Sequence, residues 1–257
     1  MKFYLIAFLV LLLSGCVTTT ESAFTRKADE AKALQNYIQL GLAYIQRSDF
    51  ERARLNLGRA LEIDSDSSEA YAALGLLYQQ EAENTLAEEH FKTALSLDDK
   101  NTRGRTFYAA FLYRLERYEE ALTQFQLAGN DTDYNGRAVI FINIAQCHLR
   151  LGQNKQAVKA YEKTLALDHS QPQALIGITQ LLVDEGEYLK AQRYYNRMLN
   201  IIKSSGMTHS ANSLWLGIEL ARHFNNSTQE SSYAVLLKRL YPESQEYKQY
   251  RALTSNE

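Results

Sequence analysis

The side chains that could do chemistry are few and scattered. Five histidines (His90, His148, His169, His209, His223) and two cysteines (Cys16, Cys147) stand among 257 residues. A metal site built on one helix needs ligands at i and i+4, because that spacing sets both on one face. No two of these histidines have it. Cys147 and His148 are neighbours, so on a helix they diverge by about 100° and cannot easily share a metal. Cys147 reads as a small core residue rather than a nucleophile. The acidic pairs Glu88-Glu89 and Glu119-Glu120 lie among solvent-type residues and read as solvated faces. There is no G-x-S-x-G, no Walker loop and no dinucleotide fingerprint. No enzyme is expected from these residues, and no cofactor, metal or small-molecule substrate.

Cys16 has a different setting. Met1-Lys2 is a short basic start, and Phe3 to Leu13 is an unbroken apolar run of eleven residues. Crossing a bilayer takes about 20 apolar residues, so this run has the length of a signal-peptide core. It is followed by Leu13-Ser14-Gly15-Cys16, which resembles the lipobox of bacterial lipoproteins. That resemblance implies cleavage before Cys16, acylation of its sulfur and of the new amino terminus, and an anchor in the membrane. Val17 follows, where lipoproteins held in the inner membrane of enteric-type bacteria usually carry Asp, so the outer membrane, facing the periplasm, is the implied address. Val17 to Lys27 is Thr/Ser-rich without helical periodicity and reads as a flexible tether with a reach of about 20 Å.

The elements behind these residues follow from composition and periodicity. The chain is 46% hydrophobic and 23% charged, enough apolar content for a core. Two prolines and twelve glycines are too few for an all-β protein, which turns every 8–12 residues or so. A net charge of −2 leaves no electrostatic footprint for nucleic acid.

A 34-residue repeat organises the rest. Tyr37, Leu40, Gly41, Tyr44, Ala53, Leu57 and Ala60 recur as Tyr71, Leu74, Gly75, Tyr78, Ala87, Phe91 and Ala94. The third copy has Tyr108, Ala109, Leu112, Ala121, Phe125 and Ala128, and after two extra residues the fourth has Phe141, Ile144, Ala145, His148, Ala157 and Tyr161. Leu175, Ile178, Thr179, Leu182, Ala191, Tyr195 and Met198 make a fifth, and Leu216, Gly217, Leu220 and Tyr233 a degraded sixth ending at Pro242. The pattern resembles the tetratricopeptide (TPR) repeat, and implies an all-α, right-handed superhelical solenoid of about six helix pairs. In each pair a small residue on the first helix (A) lets the second helix (B) approach, and the aromatic on B fills the gap between pairs.

The expected organisation is a signal peptide at 1–15, the lipidated cysteine and tether at 16–27, the solenoid at 28–245 and a tail at 246–257. Repeats fall near 34–67, 68–101, 102–135, 138–171, 172–205 and, degenerate, 210–242. Turns are expected at Arg47–Phe50, Arg114–Tyr118, Leu151–Asn154 and Glu185–Tyr188 within repeats, and polar caps at Asp64–Ser67, Asp98–Asn101 and Asp168–Gln171 between them. The longer connections 129–137 and 203–210 would splay neighbouring repeats.

By the same resemblance, repeat positions 2, 5, 9 and 12 of helix A line a concave groove. The groove residues expected to take a partner are Ile38, Leu42, Ile45, Ala72, Leu76, Tyr113 and Ile142. Carboxylate-clamp TPRs need Lys and Asn there, and this chain offers Ile38 and Leu42. The apolar strip suits an amphipathic helix or extended apolar peptide, unless the chain's own Ala28–Leu40 covers it or repeat-to-repeat packing uses it.

A lipobox, a tether and six TPRs together resemble the pilotins of type IV pilus systems (the PilF/PilW family). The resemblance extends to Leu40-Gly41-Leu42-Ala43-Tyr44, Tyr71 to Tyr78, and Ala87-Glu88-Glu89-His90-Phe91. It implies a non-catalytic scaffold that binds the secretin subunit of the pilus, carries it to the outer membrane through the lipid on Cys16, and promotes its multimerisation. Two other readings stay open. One is a lipoprotein adaptor for peptidoglycan hydrolases or synthases; the other is an enzyme using His209, Trp215 and His223.

Overall fold

The structure is a computed structural model that describes residues 23–255; Cys16 and the signal segment lie outside it. Among the described residues there are thirteen α-helices. They run α1 (Ala23–Gln46), α2 (Phe50–Ile63), α3 (Ser68–Gln80), α4 (Asn84–Leu97), α5 (Thr102–Arg114), α6 (Tyr118–Gly129) and α7 (Arg137–Arg150). Then follow α8 (Asn154–Leu167), α9 (Pro172–Asp184), α10 (Tyr188–Ser205), α11 (Ala211–His223), α12 (Ser227–Leu240) and α13 (Gln245–Thr254). The first twelve form six hairpins, each packed lengthwise on itself and then on the next.

The turn inside every hairpin uses one left-handed residue at the same place. Ser48, Ala82, Glu116, Gly152, Gly186 and Asn225 all have φ between 55° and 75°. Only two of the six are glycine, so the fold holds four side chains where L-residues are disfavoured by about 1–2 kcal/mol. The turns between repeats are also alike. Asp64, Asp98 and Asp168 each accept a hydrogen bond at Oδ1 from the backbone N–H two residues on, at 3.1, 2.9 and 2.9 Å. Ser67 and Asn101 then cap α3 and α5 by accepting from Ala70 and Gly104 N–H.

Close packing follows the small-residue rule. A Cβ added at Gly41 would lie 2.6 Å from the Leu57 side chain, and one at Gly75 would lie 2.6 Å from the Phe91 ring. Phe91, Phe125, Tyr161 and Tyr195 are all buried between pairs. Tyr195 also donates from its hydroxyl to Ser213 O at 3.0 Å, fastening α10 to α11.

Three expectations need correction. Residues 23–27 of the supposed tether are helical, because Ala23–Gln46 has no Gly or Pro before Gly41 and is rich in good helix formers. Helical propensity, not amphipathic periodicity, extends α1, and its residues 27–32 stand exposed. The supposed C-terminal tail is helix α13: Ser244 caps it from Tyr247 N–H, and Tyr247 and Tyr250 pack onto the open end of the last hairpin with Leu214, Ile218 and Leu237. A solenoid's final apolar face needs such a lid. Lys203–Ser205 belong to α10, so that connection is shorter than its sequence suggests.

Glu88 is not merely solvated. Its carboxylate accepts from Arg117 Nη1 at 2.8 Å and from Tyr108 Oη at 3.1 Å, and it pairs with Lys92 at 2.8 Å. Arg117 above all, with Lys92 and Tyr108, holds the carboxyl down at about 2 against the opposing effect of burial. The group ties α4 to α5 and to the start of α6, whereas Glu89 and Glu119 are exposed as expected.

Candidate protein-interaction surface

Each hairpin's A helix packs beside its neighbours' A helices in the first three repeats and again between α9 and α11, while no B helix packs along another. The A row is therefore the short side of the stack, and it forms the inner face.

The seven expected groove residues divide on this face. Ile38 (1% exposed) and Ile142 (3%) are buried, as are Leu42, Ile45 and Ala72. Only Leu76 and Tyr113 keep part of their surface. The reason is interdigitation. Ile38, Leu42 and Ile45 sit in one apolar cluster with Ala70, Ala73, Leu74 and Leu77 of α3, so the seam between hairpins consumes the strip. Of the alternatives raised from sequence, repeat-to-repeat packing is the one observed.

What stays accessible is amphipathic. Ala110 and Val139 are exposed, and Leu76, Thr106, Tyr113, Gln146, Leu149, Ile176 and Gln180 are half-buried. Polar rungs cross the seams: Gln35 Nε2 donates to Glu69 Oε2 at 2.8 Å, Arg114 Nη2 to Gln79 O at 3.1 Å and Arg150 Nε to Tyr113 Oη at 3.1 Å. Arg114 and Arg150 hold the same place in successive repeats, and Asp184 takes that place in the next. The face thus carries arginines at the ends of α5 and α7 and Asp184 at the end of α9, while Arg222, at the same place in α11, pairs with Glu230 at 2.8 Å.

On α11, Glu219 Oε2 is buried with no hydrogen-bond partner. Burial, and then the charge of Asp184, push this carboxyl up to about 7. Folding therefore favours the protonated form. That contribution is complete below about pH 4.5, the unfolded value, and is lost as pH rises to about 7. Glu219→Gln is expected to raise the melting temperature at pH 8, by about 2–4 °C for each kcal/mol recovered, and to leave it unchanged at pH 4. Thermal melts at the two pH values check this; an equal shift at both would sink it.

The residues with chemical potential do not converge. Cys147 is fully buried and its thiol is pushed up to about 12 by that burial, which keeps it protonated and inert. His148 is half-buried, with Nδ1 bonded to Gln153 Oε1 at 2.7 Å. His209 precedes α11 and bonds Ser213 Oγ, while His223 ends the same helix, stacked on Tyr188 at 3.6 Å. A helix of 13 residues holds those two histidines about 20 Å apart. Trp215 packs with the C-terminal cap. Among the described residues no group of three or more His, Cys, Asp or Glu side chains could hold a metal, and no helix is long and apolar enough to cross a membrane.

Residues 41–81 match a family model described as TPR repeat, and residues 68–101 and 138–170 match the tetratricopeptide repeat model. The chain is 40% identical over 242 residues to the type IV pilus assembly protein PilF of Pseudomonas aeruginosa, across 93% of this chain and 94% of that protein. The chain belongs to the PilF/PilW family of TPR proteins. A solved structure of P. aeruginosa PilF superposes with a TM-score of 0.78 at 40% identity, covering 87% of this chain and 99% of that one. PilW, a type IV pilus biogenesis factor, superposes at 0.70 with 24% identity over 84% of this chain and 97% of that one, a likeness of fold. As a member of the PilF/PilW family the chain is a homologue of a pilus assembly protein, built on a repeat that typically serves protein interaction.

One feature of this family member escaped the sequence reading. Helix B carries leucine at the same repeat position in five hairpins (Leu61, Leu95, Leu165, Leu199, Leu237) and glycine in the third, Gly129. Comparing that single column across the repeats would have exposed it.

Proposed function

We propose that this chain is a pilotin: an outer-membrane lipoprotein, anchored through Cys16 and facing the periplasm, that binds the secretin subunit of the type IV pilus and promotes its outer-membrane localisation and multimerisation. The observation that carries the reading is the 40% identity to a pilus assembly protein along nearly the whole of both chains. The lipobox-like Leu13–Cys16 and the amphipathic inner face agree with it. The mechanism asks for no catalysis. An acyl anchor confines the chain to one leaflet, and a bound partner is confined with it, so a modest intrinsic affinity is multiplied by the local concentration. The exposed first turns of α1 stand between the lipid and the first hairpin and hold the binding face away from the bilayer.

Deleting the gene tests this. Heat- and SDS-resistant secretin multimers are expected to disappear from the outer membrane and to return on complementation. Unchanged multimers would overturn the pilotin reading and favour a lipoprotein adaptor for peptidoglycan hydrolases or synthases.

A further inference from the structure

A second surface lies on the opposite side of the stack from the inner face. Between α6 and α8, with α7 as floor, there is a cleft of about 630 Å³, within the ~300–1,000 Å³ range of clefts that hold ligands. Its floor and one edge are apolar: Phe141, Ile144, Ala160 and Leu127, the last 48% exposed. None of its lining residues is acidic, whereas Lys159 and Lys163 stand one turn apart along the α8 wall. Neither lysine has an ion-pair partner among the described residues.

The cleft has an identifiable origin. The connection between α6 and α7 spans residues 130–136 rather than the four residues found between α2 and α3, and α5 and α7 touch less than α1 and α3 or α3 and α5 do. Gly129 then omits the leucine that is buried or half-buried at this position in the other five hairpins. A Cβ built there would meet Phe141, Ile140 and Ile144 at 3.5–3.7 Å, ordinary contact distances, so a Cβ is accommodated without a clash. Gly129 ends a right-handed helix and its φ is not positive, so nothing in the backbone calls for glycine. The fold therefore gives up both helix propensity and apolar burial at this one junction, and what it keeps open is an apolar cleft with a basic wall.

We infer that the α6–α8 cleft docks an amphipathic helical segment of a partner protein, its apolar residues on Phe141, Ile144 and Leu127 and its carboxylates on Lys159 and Lys163. Two parallel helix ridges over an apolar floor suit a third helix laid between them, and the uncompensated lysines select the sign of its charge. The site is separate from the inner face, so a chain holding one partner there could hold a second segment here.

The test uses the full mature chain and two short fluorescein-labelled peptides. One carries leucine at i, i+3, i+4 and i+7 with glutamate between; the other replaces the glutamates by lysine. The acidic peptide is expected to bind by anisotropy and the basic one not. Gly129→Leu, which fills the cleft from below, and Lys159→Glu/Lys163→Glu are each expected to weaken binding at least ~10-fold. Gly129→Leu should also raise the melting temperature, which separates a filled cleft from a misfolded chain, and the double charge reversal should let the basic peptide bind. Equal binding of both peptides, or an affinity that neither variant changes, overturns the proposal. So does a dimer that Gly129→Leu dissolves, which would make a second copy the occupant. No secretin enters this measurement, so its failure leaves the pilotin reading standing.

Discussion

A chain whose residues 1–15 are replaced by a cleavable, non-lipoprotein signal, with alanine in place of Cys16, is expected to leave the membrane fraction almost completely. Each buried acyl methylene contributes about 0.8 kcal/mol, and a single myristoyl-length chain binds only marginally. The several chains that the lipobox resemblance implies for Cys16 would make the anchor effectively permanent, so the change is nearly all-or-none. The apolar run Phe3–Leu13 is removed with the signal, and among the described residues no helix could replace it in the bilayer. The folded solenoid should be untouched, because the stretch of α1 nearest the replaced segment, residues 27–32, is exposed. Fractionation of washed membranes, with the circular dichroism of the purified chain as the control, measures both. On the pilotin reading the secretin then stays out of the outer membrane even though its binding face is intact. A chain that remains in the outer membrane without Cys16 would place the anchor elsewhere.

Phe91→Ala is expected to cost about 3–5 kcal/mol, a large share of the ~5–15 kcal/mol that holds a typical protein folded. The ring is fully buried and sits 5.7 Å from the Tyr108 ring and 5.5 Å from the Phe111 ring, centroid to centroid, so it joins the second hairpin to the third. Its other face closes on Gly75. That geometry makes a second, sharper expectation. Gly75→Ala alone forces the ring aside and costs about 1–3 kcal/mol, but in the Phe91→Ala background the added methyl enters the vacated space. The double variant should be more stable than the sum of the two single losses, with a coupling of about 1 kcal/mol or more. Because each hairpin contacts only its neighbours, the damage should concentrate at the second and third hairpins. Denaturant titration gives the energies and amide exchange gives the location. Strict additivity, or a loss below about 1 kcal/mol, would show that the junction does not rest on this contact.

Much of this molecule can be read from one strand of text because its packing rule is local and repeated. Gly41 against Leu57, Gly75 against Phe91, and Tyr195 under Gly217 all come from a fixed spacing within or between consecutive hairpins, so periodicity reaches them. Helix caps and Asx turns at Asp64, Asp98 and Asp168 are equally local. The termini were harder. The start of α1 rests on propensity without an apolar stripe, and α13 lies after the last repeat, where the frame has nothing to say.

The binding face shows the limit of that reading and its cause. Repeat position tells which side of helix A a residue occupies, and Ile38, Leu42 and Ile45 do lie on the side toward the neighbouring A helices. Whether a side chain on that side meets solvent or the next hairpin depends on the separation of two helices 34 residues apart, and that is set by the volumes packed between them. Small and apolar residues at the first seam draw α1 and α3 together and bury the strip. At the junction of the third and fourth hairpins, glycine at 129 leaves an apolar cleft between α6 and α8, over α7. The sequence by itself determined the repeat, its caps and its family. Only the tertiary structure decided which apolar residues are core and which are surface, because accessibility belongs to the gap between helices rather than to either helix alone.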